Sequence, residues 1–144
     1  MRTWRELRWA VLAGLVAGVL LGLFLKGVEA ITAINVYTLL LNVDFVPMLN
    51  ELTMSEGIEF TLHLVVSIVL AVALFWLMKI RLWSKSKSMS ILLLINVGIG
   101  FLLFPLTLLS ERTPSIWSGE ALLFWLFGHA LYGVILGLFF KKSA

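Results

Sequence analysis

The chain has 144 residues, 61% of them hydrophobic and only 13% charged, with a mean hydropathy of +1.06. That balance excludes a soluble globular domain, which needs far more polar surface. The net charge of +3 comes from residues flanking apolar runs, which argues against nucleic acid as a partner. The absence of cysteine excludes disulfides, thiolate metal sites and lipidation on Cys.

A hydrocarbon core about 30 Å thick needs roughly 20 helical residues. Four runs meet that length, near residues 9–25, 58–78, 89–109 and 120–140, and none carries a charge at its centre. They predict a single membrane domain over 1–144, an all-α antiparallel up-down bundle of four transmembrane helices. Lipid offers backbone groups no partners, so a spanning segment must be a helix or part of a closed barrel. The runs are apolar on consecutive positions, which excludes barrel strands.

Arg2, Arg5 and Arg8 precede the first run, and Gly14, Gly18 and Gly22 mark a small-residue stripe along it that ends at Lys26. Val28-Glu29-Ala30 is a weak cleavage site, and the run is long for a signal peptide; the segment is expected to be retained as a span. Residues 31–49 are apolar but interrupted by Asn35, Asn42 and Asp44. They predict a helix lying at the membrane interface and ended near Pro47. Thr53 followed by Glu56 is a capping-box pattern opening the second span.

In the second run Glu59, His63, Ser67 and Ala71 fall four apart on one helix face. Lys79, Arg81, Lys85 and Lys87 follow it. In the third run Asn96 and Gly100 share a face, and Pro105 is expected to bend the helix. The turn at 110–119 contains Arg112, Pro114 and Gly119. In the fourth run His129, Gly133 and Gly137 share a face, and Lys141 and Lys142 follow it.

Nine of the eleven Lys and Arg residues thus fall on one side of the expected bundle. The positive-inside rule assigns that side, with both termini, to the cytoplasm of a bacterial inner membrane. Trp4, Trp9, Trp83 and Trp117 sit near the expected boundaries as an aromatic belt would.

Small residues let helices approach closely in lipid. Gly14, Gly18, Gly22, Gly133 and Gly137 are therefore expected packing surfaces, and the polar residues sharing their faces should turn inward. Glu59, His63, His129 and Asn96 form an expected polar seam, with Lys26 and Glu120 at its outer mouth. Counted from the outer ends, His63 lies roughly 7 Å deep and His129 roughly 14 Å. Imidazoles titrate near neutral pH, so this pattern points to a pH response, to proton relay, or to a seam that conducts protons or a small solute. The bland reading is a pair of structural hydrogen bonds between helices. Glu59, His63 and His129 are a weak metal set, one ligand short of a closed zinc site and offset in depth, so no metal and no cofactor is expected. No nucleophile motif surrounds Ser67, and the reading leans away from an enzyme. The alternative function is a structural or accessory subunit whose glycine stripe docks a second copy or another membrane protein.

Three segments carry a resemblance: His63-Leu-Val-Val-Ser67, Phe104-Pro105-Leu-Thr-Leu-Leu before Thr113-Pro114, and Phe127-Gly128-His129. With Gly14-Leu-Val-Ala-Gly18 ahead of Lys26 and Glu29, the chain resembles the YagU-like family of small bacterial inner-membrane proteins. The resemblance implies the four-span fold and its location, and no reaction. Two departures stand out: Asn35–Asn42 and Pro47 replace a proline-rich stretch, and Trp125 replaces a carboxylate expected before the last histidine.

Overall fold

The computed structural model describes residues 2–44, 46, 54–82 and 85–143, with side chains left undescribed at 2, 3, 85, 86, 142 and 143. Every regular element among them is helical: α1 (Arg2–Thr32), α2 (Val36–Leu41), α3 (Glu56–Ile80), α4 (Lys85–Leu103) continued by a 3₁₀ segment (Phe104–Leu109), and α5 (Gly119–Ser143). Four helices are long and apolar enough to cross a membrane: Trp4–Thr32, Glu56–Ile80, Lys87–Leu109 and Gly119–Lys141.

α1 runs seven residues past the expected end at 25, because nothing between Lys26 and Thr32 stops a helix. It ends where Ala33 takes a left-handed conformation, φ 58°, and its N–H returns to the Glu29 carbonyl at 2.9 Å. Glycine is the usual residue for that αL stop; alanine holds it here at some cost. α3 starts at Glu56 with Ser55 as N-cap, later than a capping box at Thr53 would place it. Thr53 itself, like Pro47 and Trp83, lies outside the described residues.

The glycines set the register of the bundle. A Cβ on Gly14 would meet Ala71 and Ile68 at 2.8 Å, one on Gly18 would meet Ser67 Oγ at 2.6 Å, and one on Gly22 would meet Phe60 at 2.5 Å. Rising numbers on α1 therefore meet falling numbers on α3. Ion pairs bracket the two helices, Lys79–Glu6 at one end and Lys26–Glu56 at the other, each 2.5 Å. On α5, Gly133 lies against Leu92, Leu93 and Asn96, and Gly137 against Met89. Gly128, which the sequence reading passed over, receives Leu21 and Leu25 of α1.

These contacts arrange the long helices as an arc, α3–α1–α5–α4. α1 packs on both α3 and α5, and α5 on α4, whereas α3 and α4 make at most marginal contact. The pair joined by the shortest connection is thus the pair left apart. The aromatic cluster of Phe75 and Phe140, centroids 5.2 Å apart, fills the arc near Glu6 and Lys79.

At the other end, within the segment expected to form an interfacial helix, a short helix forms. α2 has six residues, ends at Leu41 before Pro47, and buries Val36, Tyr37, Leu39 and Leu41 against α1, α3 and α5. It caps the bundle, its apolar side chains buried against the neighbouring helices. Its N-terminal donors are met by Glu29, whose carboxylate accepts from the Thr38 N–H at 2.9 Å and the Thr38 hydroxyl at 2.8 Å. Tyr37 donates to Glu56 at 2.9 Å beneath the Lys26 ammonium. Burial first, and then the Glu56 carboxylate, push its phenol up to about 12.

Candidate functional site

Because α3 and α4 stand apart, a cavity of about 370 Å³ lies between them, backed by α1 and α5 and roofed by residues 39–43. That volume is in the range of small-molecule pockets. Glu59, His63, Val66 and Ser67 line it from α3, and Asn96 and Ile99 from α4. Leu103 and Leu106 flank Pro105 at its rim; Trp125, His129 and Tyr132 line it from α5. Residues at steps of three and four present one face of each helix, which is how the sequence pattern delivers them here.

The hydrogen-bonded partners fix the imidazoles. His63 Nε2 lies 3.2 Å from the Gly18 carbonyl, and His129 Nδ1 lies 2.9 Å from the Trp125 carbonyl one turn back. A carbonyl only accepts, so each of those nitrogens carries the hydrogen; in a neutral ring the other nitrogen is then a free acceptor. His129 is held further by the Trp125 ring, centroids 4.5 Å apart, and by Gly100, where a Cβ would come within 2.7 Å of the imidazole. Trp125, in place of the carboxylate, donates its indole N–H to the Gly100 carbonyl at 2.8 Å.

One layer deeper, Ser67 donates to the Gly14 carbonyl at 2.7 Å. Tyr132 donates to the Ser67 carbonyl at 2.7 Å, its hydroxyl 3.1 Å from the Ser67 Oγ. Asn96 is completely buried; its amide donates to the Leu92 carbonyl at 2.8 Å, and its Oδ1 has no partner. Asn42, 3% exposed, accepts the Asp44 N–H at 3.1 Å, and its Nδ2 has no partner. Those bonds settle which way each amide faces.

The α2 end of the cavity is closed by charge. Arg112 reaches the buried Glu59 carboxylate at 3.3 Å and Asp44 at 3.9 Å, Ser110 donates to Asp44 at 2.5 Å, and Asn35 donates to the Arg112 carbonyl at 3.0 Å.

Glu59, His63, Asn96 and His129 therefore converge on one cavity. Lys26 and Glu120 do not reach it: Lys26 pairs with Glu56, and Glu120 is exposed in the first turn of α5. Glu56 and Glu59 lie one turn apart, and the α1–α3 register decides which of them the lysine meets. Gly14, Gly18, Gly22, Gly133 and Gly137 are covered within the chain, so the first stripe faces α3 and offers no docking surface. Pro105 converts α4 to 3₁₀ geometry at the cavity rim, where its missing N–H breaks the α-helical ladder. Among the described residues no three His, Asp or Glu side chains gather to hold a metal ion.

The sequence reading missed Arg112, Asn42, Tyr132 and the role of Trp125. Tyr132 was within reach: a mid-span tyrosine needs a hydroxyl partner, and it lies three residues from His129 on the same face. Arg112 gave no local signal. No family model, curated protein or solved structure matches this chain.

Proposed function

We propose that this chain is a non-enzymatic, four-span protein of the bacterial cytoplasmic membrane that handles a small solute in the α3–α4 cavity, with proton uptake and release at His63 and His129. Both termini face the cytoplasm and the helices alternate in direction. The distribution of Lys and Arg supports this orientation, as does the falling contact order between α1 and α3. The observation that carries the reading is the convergence of Glu59, His63, Asn96 and His129, from three helices, on one cavity. Intramembrane ionisable groups are costly, so their presence marks sites of binding or transfer. The mostly apolar lining suits a bound solute, and His63 and His129 supply proton-exchanging groups within it.

Glu59 with Arg112 forms the outer gate: breaking that pair would open the cavity toward Asp44 and the outer surface. The residues that carry the YagU-like resemblance lie at this cavity: His63 and His129 line it, and Pro105 stands between two residues that do. The glycine-stripe docking reading loses support, because α3 occupies the stripe.

In proteoliposomes with an entrapped pH dye, wild-type protein should dissipate an imposed pH gradient faster than protein-free vesicles. His63→Gln and His129→Gln should each reduce that rate at least tenfold. Equal rates in all three proteins would remove the proton-handling reading.

A further inference from the structure

We infer that the cavity takes an uncharged, chain-like alcohol from the lipid phase, admitted sideways between α3 and α4 and held by its hydroxyl group. The inference rests on the solute-binding reading above and names the solute class.

Access comes first. The outer end is stopped by the Arg112–Glu59–Asp44 network and by residues 39–43 of the α2 cap. The side is open: Val66 lines the cavity yet is 66% exposed, and Leu103 lines it from the facing helix and is 40% exposed. Around this slot, Val65 and Val69 of α3 and Phe101 and Leu102 of α4 are exposed and apolar. In a bilayer such a slot is bathed by acyl chains, so a molecule reaching it is already dissolved in lipid.

Chemistry comes second. The deep groups without partners are acceptors: Asn96 Oδ1, and the free nitrogens of neutral His63 and His129. A buried acceptor left unmade is expensive. A hydroxyl supplies the donor they lack. It carries no charge for the cavity to neutralise, and Arg112 already occupies Glu59. A ketone, ester or ether brings only acceptors and leaves Asn96 unsatisfied. Of the orphan groups able to donate, Asn42 Nδ2 is at the α2 cap and can meet the lone pair of a second oxygen, whereas the Thr107 hydroxyl does not line the cavity.

Size comes third. Glu59 to Ser67 spans about 12 Å of helix. At roughly 30 Å³ per methylene, about the share of a liquid water molecule, the volume accommodates about a dozen carbons.

The test uses the full chain in nanodiscs, photolabelled with a diazirine-bearing dodecanol and with the matching diazirine-bearing dodecane; adducts are mapped by mass spectrometry. The alcohol should label residues 66–70 and 99–106, at least tenfold more than the alkane does at equal concentration. Asn96→Leu, which removes the orphan acceptor at similar volume, should abolish that preference. Val66→Trp, on the lipid-facing rim, should block labelling by both probes, whereas Glu120→Gln, exposed in the first turn of α5 and outside the cavity, should leave loading intact. Far-UV circular dichroism confirms that each variant is folded. Equal labelling by the two probes, or labelling that Val66→Trp leaves unchanged, overturns the inference. Absent alcohol labelling with histidine-dependent flux intact also overturns it and leaves the proton-handling function standing. Loss of both removes the two together.

Discussion

Gly18 offers the sharpest test of how the helices are turned. A Cβ added there would lie 2.6 Å from Ser67 Oγ, 2.9 Å from Ser67 Cβ and 3.1 Å from Leu64 Cδ2. Ordinary contact is about 3.5–4.0 Å, so the first of these is about 0.9 Å too short. Ser67 cannot swing away cheaply: its hydroxyl is bonded to the Gly14 carbonyl, and its backbone carbonyl accepts from Tyr132. Gly18→Ala must therefore push α1 off α3 or break the serine bond, and it also strains the His63 contact with the Gly18 carbonyl. Overpacking costs about 1–3 kcal/mol and a lost hydrogen bond about 1 more, giving an expected destabilisation of about 2–4 kcal/mol. Gly27 sits in the same helix with nothing within 4 Å of an added Cβ, so Gly27→Ala should be neutral or stabilising by up to about 1 kcal/mol. Unfolding in mixed micelles with increasing SDS, followed by circular dichroism, measures both. Adding Ser67→Gly to Gly18→Ala should restore part of the loss, with a coupling of at least about 1 kcal/mol. If Gly18→Ala falls within about 0.5 kcal/mol of wild type, α1 does not present this stripe to α3, and the cavity geometry fails with it.

Other expectations follow from single contacts. Ala33→Gly should stabilise the fold by about 1 kcal/mol in the same assay, because φ 58° suits glycine and Ala33 is exposed; a loss would mean the methyl group packs. For Tyr37, the phenol is raised from 10.0 to about 12, so the fold favours its protonated form. Its contribution to stability is fully present below pH 10 and lost as pH rises through about 12. Absorbance at 295 nm should therefore show almost no difference between native wild type and Tyr37→Phe up to pH 11. Half-ionisation near pH 10 would show that Glu56 and the bundle do not hold the hydroxyl.

Much of this architecture was legible because the periodicity of an apolar helix is uninterrupted by context. Gly14, Gly18 and His63 announce their faces by spacing alone, and the bundle uses those faces. What spacing could not give is which face meets which. Lys26 had two carboxylates within a turn, and only the α1–α3 register selects Glu56. For α2, spacing could not show that its apolar residues pack on three helices at once, because such residues can rest on lipid or on protein. Arg112 joins Asn35, Asp44 and Glu59 across long sequence separations, so no window along the chain contains the cluster. The orphan atoms of Asn42 and Asn96 become visible only once every other donor and acceptor has been assigned.

The arc of helices has a mechanical consequence. Ile80 and Lys85, the facing ends of α3 and α4, are five peptide steps apart in the chain, so they can separate by roughly 17 Å at most. That limit holds one end of the slot, while at the opposite end the two flanking helices have no such short connection. Any widening must therefore be a splay pivoting near Lys79, greatest beside the α2 cap, and inserting glycines after Leu82 would loosen the pivot without touching the residues that line the cavity.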